Sequence, residues 1–185
     1  MVTQATARRF QIQLSNVDAG VYTTLDLRVA QHPSETQRYL LARVLAFCYL
    51  SNADSESVLE FSKGGLSSPE DPTLARVSLD GRMLVWCEIG TPSAERVHKA
   101  SKAAPRVVVF THNDPKLLSE RLGKGHIHRK EQLELWGLES PFLDELVRAT
   151  NTRTSEFELT IAEQQLYVNL AGESLCGVLC PITLA

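Results

Sequence analysis

The amino-acid sequence predicts an α/β fold in a single domain spanning residues 1–185. It is a mixed β-sheet flanked by helices, opened by an N-terminal β-hairpin and closed by a C-terminal β-meander. Three observations predict it. Apolar and polar residues alternate with period two near both ends of the chain, as half-buried strands require. In the middle, residues 83–89 form a nearly continuous apolar run interrupted only by Glu88, which reads as a central strand buried on both faces. A helical stretch then leads to Arg106-Val107-Val108-Val109-Phe110-Thr111, a β-branched strand that a helical crossover places parallel to its neighbour.

Each element follows from local chemistry. Phe10, Ile12 and Leu14 alternate with Gln11, Gln13 and Ser15 over residues 8–16, and a second alternation fills residues 21–30. Asp18-Ala19-Gly20 joins them as a hairpin turn. Ser34 with Gln37 three residues later forms a capping-box pattern and starts a helix that Leu40, Leu41, Val44, Leu45 and Cys48 carry to about residue 51. A short strand is expected over residues 58–61, and an aperiodic loop over residues 63–72 long enough to serve as a lid or binding loop. Asp80-Gly81 turns between a strand at 75–79 and the central strand. Thr91-Pro92 reads as cap and first position of a helix running to about residue 103. Further helices are expected at 115–122 and 141–150, a strand at 133–138, and meander strands at 155–162, 165–170 and within 175–184.

Composition bounds the function. The 185 residues are 43 % hydrophobic and 22 % charged, near globular averages, so neither disorder nor a membrane class is favoured. The net charge of −3 argues against a generally basic coat for nucleic acid but leaves room for a local basic cleft. Residues 1–10 lack the apolar core of a signal peptide, and no run of about 18 apolar residues exists, so the expected setting is cytoplasmic, without a membrane partner. Cys48, Cys87, Cys176 and Cys180 read as small buried hydrophobes in a reducing compartment, although Cys176 and Cys180 also have a C-x3-C spacing that zinc uses. Nucleotide-binding glycine motifs and the serine-hydrolase elbow are absent.

The residues with chemical content centre on Glu88. On a strand, Arg82, Leu84, Trp86 and Glu88 share one face. A carboxylate at the end of a strand buried on both sides needs compensation from a metal ion, a lysine or backbone amides. Lys99, two turns into the following helix, is placed to reach the same region, and Gly90 would let a ligand or another backbone approach. Glu35 falls in the first turn of its expected helix, where the macrodipole favours an anion. His126-Ile127-His128 would form an alternating ligand pair without a third member, and the basic segment from Lys124 to Lys130 reads as a solvated loop or as a phosphate contact.

At these residues the chain resembles a known family. His32-Pro33-Ser34-Glu35-Thr36-Gln37 with Arg43 resembles the H-P-S-E-T helix start of the bacterial YaeQ family. Phe61-Ser62-Lys63-Gly64-Gly65-Leu66-Ser67 resembles its F-x-(K/R)-G-L loop with one extra glycine, and Trp86-Cys87-Glu88-Ile89-Gly90-Thr91-Pro92 resembles W-I-(D/E)-x-G-x-P. Lys99 stands where members carry a lysine eleven residues after that acid. Phe110-Thr111 and Trp136 also align, so the ordered match runs over about residues 8–170.

The resemblance implies a restriction-endonuclease-like core, a variant of the PD-(D/E)XK nuclease fold, and with it metal-assisted phosphodiester hydrolysis. Carried over residue by residue, it makes Glu35, Glu88 and Lys99 the catalytic candidates and assigns Glu88 and Glu35 to Mg²⁺ or Mn²⁺; nearby Asp80, which no motif supplies, is the candidate to substitute as a further ligand through the turn. His32, Ser34, Arg43, Lys63 and Gly90 would line the substrate. The chain departs from the pattern at Leu84, where members carry a carboxylate four residues before the strand acid, and at Ser78, where many carry Asp. With those carboxylates gone the ligand set is thin for Mg²⁺. The expectation is therefore a degenerate, non-catalytic member that binds nucleic acid or a protein; the alternative is a Mg²⁺-dependent nuclease using Glu35, Glu88 and Lys99.

Overall fold

Period-two burial sets the strands where the sequence puts them. In the computed structural model, which describes residues 5–62 and 70–184, Phe10, Ile12 and Leu14 are buried along β1 (Thr6–Asn16), while Gln13 between them is exposed. The chain is mixed α/β. It divides into two compact units, one made of residues 1–53 and 139–179, the other of residues 54–138 and 180–185.

In the first unit β1 pairs antiparallel with β2 (Val21–Gln31) across the expected hairpin, whose turn glycine, Gly20, has φ +67°. On its other side β1 pairs parallel with β8 (Thr154–Ala162). The tail is the expected meander: β8, β9 (Gln165–Leu170) and β10 (Glu173–Pro181) pair antiparallel in turn. The helices α1 (Gln37–Leu50) and α4 (Ser140–Ala149) belong to this unit, where Arg38 Nε on α1 donates to Asp144 on α4 at 2.8 Å. Leu40, Leu41, Val44, Leu143 and Leu146 bury the helices' apolar stripes together with Phe157 and Leu159 of the sheet.

In the second unit the strand order is β7-β6-β5-β4-β3. β3 (Ser57–Phe61), β4 (Leu74–Ser78) and β5 (Met83–Ile89) are antiparallel, with a bulge at Arg76/Val77. β5, β6 (Arg106–Thr111) and β7 (Glu134–Leu138) are parallel, as the helical crossover α2 (Ala94–Ala103) dictates. α3 (Pro115–Gly123) crosses from β6 toward β7. A core of Trp86, Val97, Val107, Val109, Leu118 and Leu135 lies between the helices and this sheet. No helix among the described residues is long and apolar enough to cross a membrane.

Two helix starts differ from expectation, and the caps explain both. Ser34 does not cap α1, because its hydroxyl and amide are both engaged with His32 Nδ1, at 2.8 and 3.2 Å. Thr36 caps instead, its side chain accepting from Tyr39 N. Likewise Ser93, not Thr91, caps α2 by accepting from Arg96 N at 3.2 Å, so Pro92 lies before the helix. Each helix starts two residues late by the sequence reading, and the residues just inside or outside its first turn change accordingly.

Candidate functional site: two enclosed carboxylates

Glu88, the last but one residue of β5, is only 3 % exposed. The strand's two-residue repeat puts Trp86 on the same face, and Trp86 Nε1 donates to Glu88 Oε1 at 2.6 Å. The late start of α2 brings Arg96 into its first turn, where its guanidinium meets the same oxygen at 2.8 Å and also donates to Asp71 O at 2.7 Å. Thr73, just before β4, donates to the other oxygen at 3.4 Å. Burial pushes the Glu88 carboxyl above its ordinary value, opposed by the donors Arg96, Trp86 and Thr73.

Glu35 lies outside its helix. It precedes the cap, so Arg43, rather than the macrodipole, compensates its charge. Arg43 on α1 reaches back to Glu35 Oε2 at 2.7 Å, both side chains 2 % exposed, and donates to Ala30 O at 2.9 Å. The same Glu35 oxygen accepts from His32 N at 3.2 Å, and Oε1 is buried without a hydrogen-bond partner among the described residues. Burial raises the Glu35 carboxyl, with Arg43 opposing, and lowers the Arg43 guanidinium.

The remaining candidates disperse. Lys99 does not meet Glu88: it is half-exposed and ion-pairs with Glu70. Asp80 sits in the exposed turn before β5, bonded by Ser78 Oγ and by Arg82 Nε at 2.7 Å. It lies at the opposite end of β5 from Glu88, and five residues of strand alone separate Met83 from Glu88 by roughly 17 Å. The Ser78 bond holds Asp80 below its ordinary value. Gly90 has φ +97°, and its amide donates to Phe110 O at 2.8 Å. An added Cβ there would meet only His112 Cε1 at 3.8 Å, so the turn, rather than a crowded approach, requires glycine. His32 and Ser34 are bonded to each other, and Lys63 lies outside the described residues.

This donor set does not fit a divalent cation as it stands. Both oxygens of Glu88 are taken, one of them by a guanidinium that would repel a cation. No three His, Cys, Asp or Glu side chains among the described residues gather to hold a metal, and residues 63–69 contain none of these types. Cys48 and Cys87 are buried as expected, but Cys176 is exposed and Cys180 half-buried.

Comparison with known proteins decides the ancestry. The sequence profile described as "YaeQ protein" matches residues 1–177. The chain belongs to the YaeQ family. "Uncharacterized protein YaeQ" of Escherichia coli (strain K12) is 33 % identical over 113 residues, a match covering 61 % of this chain and only 60 % of that relative. The Salmonella typhi protein of the same description is 26 % identical over 178 residues, covering 95 % and 94 % of the two chains. The crystal structure of YaeQ from Xanthomonas axonopodis pv. citri superposes with a TM-score of 0.82 at 28 % identity, covering 98 % of this chain and 99 % of that one. That of Pseudomonas syringae YaeQ gives 0.83 at 24 %, covering 98 % and 97 %, a likeness of fold alone.

Within this YaeQ chain, sequence reasoning passed over Arg96, Trp86 Nε1 and Thr73. The signal for Trp86 was present in its two-residue spacing from Glu88. Arg96 was hidden by the misplaced helix start, and Thr73 is brought in only by the pairing of β4 with β5.

Proposed function

We propose that this YaeQ protein is a non-catalytic binding protein built on a restriction-endonuclease-like core, in which an arginine has replaced a metal ion at the strand acid. One observation carries the reading: Arg96 and Trp86 occupy Glu88 Oε1, with Thr73 on Oε2. Two donors fill Oε1, and the Arg96 guanidinium 2.8 Å away repels a cation from the carboxylate, which makes Glu88 a poor ligand for a metal that would generate a nucleophile. The resemblance at the Glu35 and Glu88 motifs supports the core assignment, and Leu84 and Ser78 in place of acids support the loss of hydrolysis. Nucleic acid or a protein then remains as partner without being cleaved.

Titration calorimetry with Mg²⁺ and Mn²⁺, paired with cleavage assays on single- and double-stranded oligonucleotides, tests this. The expected result is no saturable metal binding and no cleavage in wild type. Metal-dependent cleavage that disappears in Glu88→Ala would overturn the proposal.

A further inference from the structure

The segment from Lys124 to Lys130 is not a free loop. Ile127 is buried at 6 % exposure in the second unit's core, so the alternation His126-Ile127-His128 turns both imidazoles outward. Gly125 lies against α2 so closely that a Cβ there would come within 2.2 Å of Ala94 Cβ. His128 N donates to His98 Nδ1 at 3.3 Å, the His98 and His126 rings lie 5.6 Å apart at 42°, and Arg129 donates to Ser101 O at 3.3 Å and to His128 Nε2 at 2.9 Å. Lys130 Nζ reaches Gly123 O at 2.6 Å. These contacts tie Arg129 to the imidazoles, Lys102 lines one depression with His98, and Lys124 and Lys130 lie in the same short segment as the two outward rings.

Two features set this face apart. Seven cations, from Arg9 on Asp26 to Arg106 on Glu134 and including Arg96 and Lys99 of α2, hold carboxylates within 2.8 Å. Here Lys102, Lys124, Arg129 and Lys130 hold none among the described residues, while Glu95 and Glu131 flank them and Glu70 is spent on Lys99. The three imidazoles do not gather into a metal site among the described residues. Flat rings beside unpaired cations match one ligand chemistry: unstacked bases on π-faces, with phosphates on the cations. A duplex hides its base faces, and an acidic peptide would use the cations while leaving the imidazoles idle.

We propose that the outer face of α2 and the segment 124–130 bind single-stranded nucleic acid, with bases stacking on His98, His126, His128 and Arg129 and phosphates held by Lys102 and Lys124. This rests on the binding reading above but not on the state of Glu88. An open depression of about 580 Å³ continues the face past His98, Lys99 and Lys102.

The test is fluorescence anisotropy with labelled single-stranded RNA, single-stranded DNA and a duplex of the same sequence. At least one single strand should bind more tightly than the duplex. His126→Ala should weaken binding by about fivefold or more, and His126→Tyr, which keeps a ring, should restore it. Lys102→Ala should lower the slope of log affinity against log salt by about 0.7, and Arg28→Ala, an exposed cation of the first unit, should change nothing. Failure of every oligonucleotide to bind, binding indifferent to both His126→Ala and Lys102→Ala, or equal competition by polyglutamate would overturn the inference. The metal titration is unaffected by any of these outcomes, so the two proposals fail separately.

Discussion

Glu35 and Glu88 are both carboxylates taken out of water, and both face an arginine, yet the two are enclosed differently. In the first unit, Glu35 and Arg43 are each 2 % exposed, and Arg43 is anchored again on Ala30 O. Nothing can leave that pair without stranding a charge. In the second unit, Glu88 is just as enclosed, but Arg96 is 18 % exposed and stands in the first turn of α2, so it has a route to solvent. The Glu35 pair thus reads as a structural lock between the segment before α1 and the helix itself. The Glu88 cluster, by contrast, is closed by a residue that sits at its rim, and under the proposed function it is a former chemical site quenched by that residue.

Removing each acid should break this comparison or confirm it. Glu35→Ala leaves the Arg43 guanidinium buried without its carboxylate, which costs about 3–5 kcal/mol. Glu88→Ala frees Arg96 to turn outward while it keeps Asp71 O as a second partner. Its cost is the lost hydrogen bonds to Trp86 and Thr73, about 1–3 kcal/mol. Urea unfolding measures both through the shift in midpoint at constant slope. Equal losses would show that Arg96 is as trapped as Arg43.

Much of this contrast was legible in the sequence, and the missing part has a physical cause. The alternation in β1 and β2, the apolar run of β5 and the β-branched run of β6 gave their strands within a residue or two, because side-chain periodicity is local and burial enforces it. The motifs around Glu35 and Glu88 gave the family. The partners of those acids were less accessible. Arg43 belongs to the same motif, but its role as counter-charge follows only once Glu35 lies outside the helix; inside it, the macrodipole would serve. Arg96 depended on which of Thr91 and Ser93 caps α2, and hydroxyl competition of that kind is decided by a single hydrogen bond. Lys99 was aimed at Glu88, but the helix start that brings Arg96 to the acid leaves Lys99 on Glu70.

A smaller effect separates the two acids from the exposed ones. Burial raises both Glu35 and Glu88 above their ordinary value of 4.5. Each therefore binds its proton more tightly when folded. The stability this linkage contributes is fully present below about 4.5 and is lost as pH rises through the higher folded value. Asp26, Asp54, Glu70 and Asp80 are lowered by their hydrogen bonds and act in the opposite sense, losing their contribution as pH falls. Comparison with an isosteric neutral variant cancels those four. The stability of Glu35→Gln and of Glu88→Gln, taken as a difference from wild type, should rise from pH 4.5 to pH 7 in urea titrations, whatever its sign at either end. A difference that is flat with pH would mean that the arginine outweighs burial at that acid.

The least conspicuous signal expected is an asymmetry between two thiols. Cys48 lies on α1 in the first unit and Cys87 on β5 in the second, both buried, with burial pushing Cys48 up to about 12 and Cys87 well above its ordinary value. Neither reacts without opening of the structure around it, whereas Cys176 is exposed and should label at once with a thiol reagent. Labelling of the buried pair therefore reports how each unit opens. Glu35→Ala should speed Cys48 more than Cys87, and Glu88→Ala should speed Cys87 more than Cys48, by at least about threefold in each case, the equivalent of roughly 0.6 kcal/mol. The two ratios should then move in opposite directions from wild type. If both thiols accelerate together in both variants, the units open as one, and the two enclosed carboxylates guard a single cooperative structure rather than two.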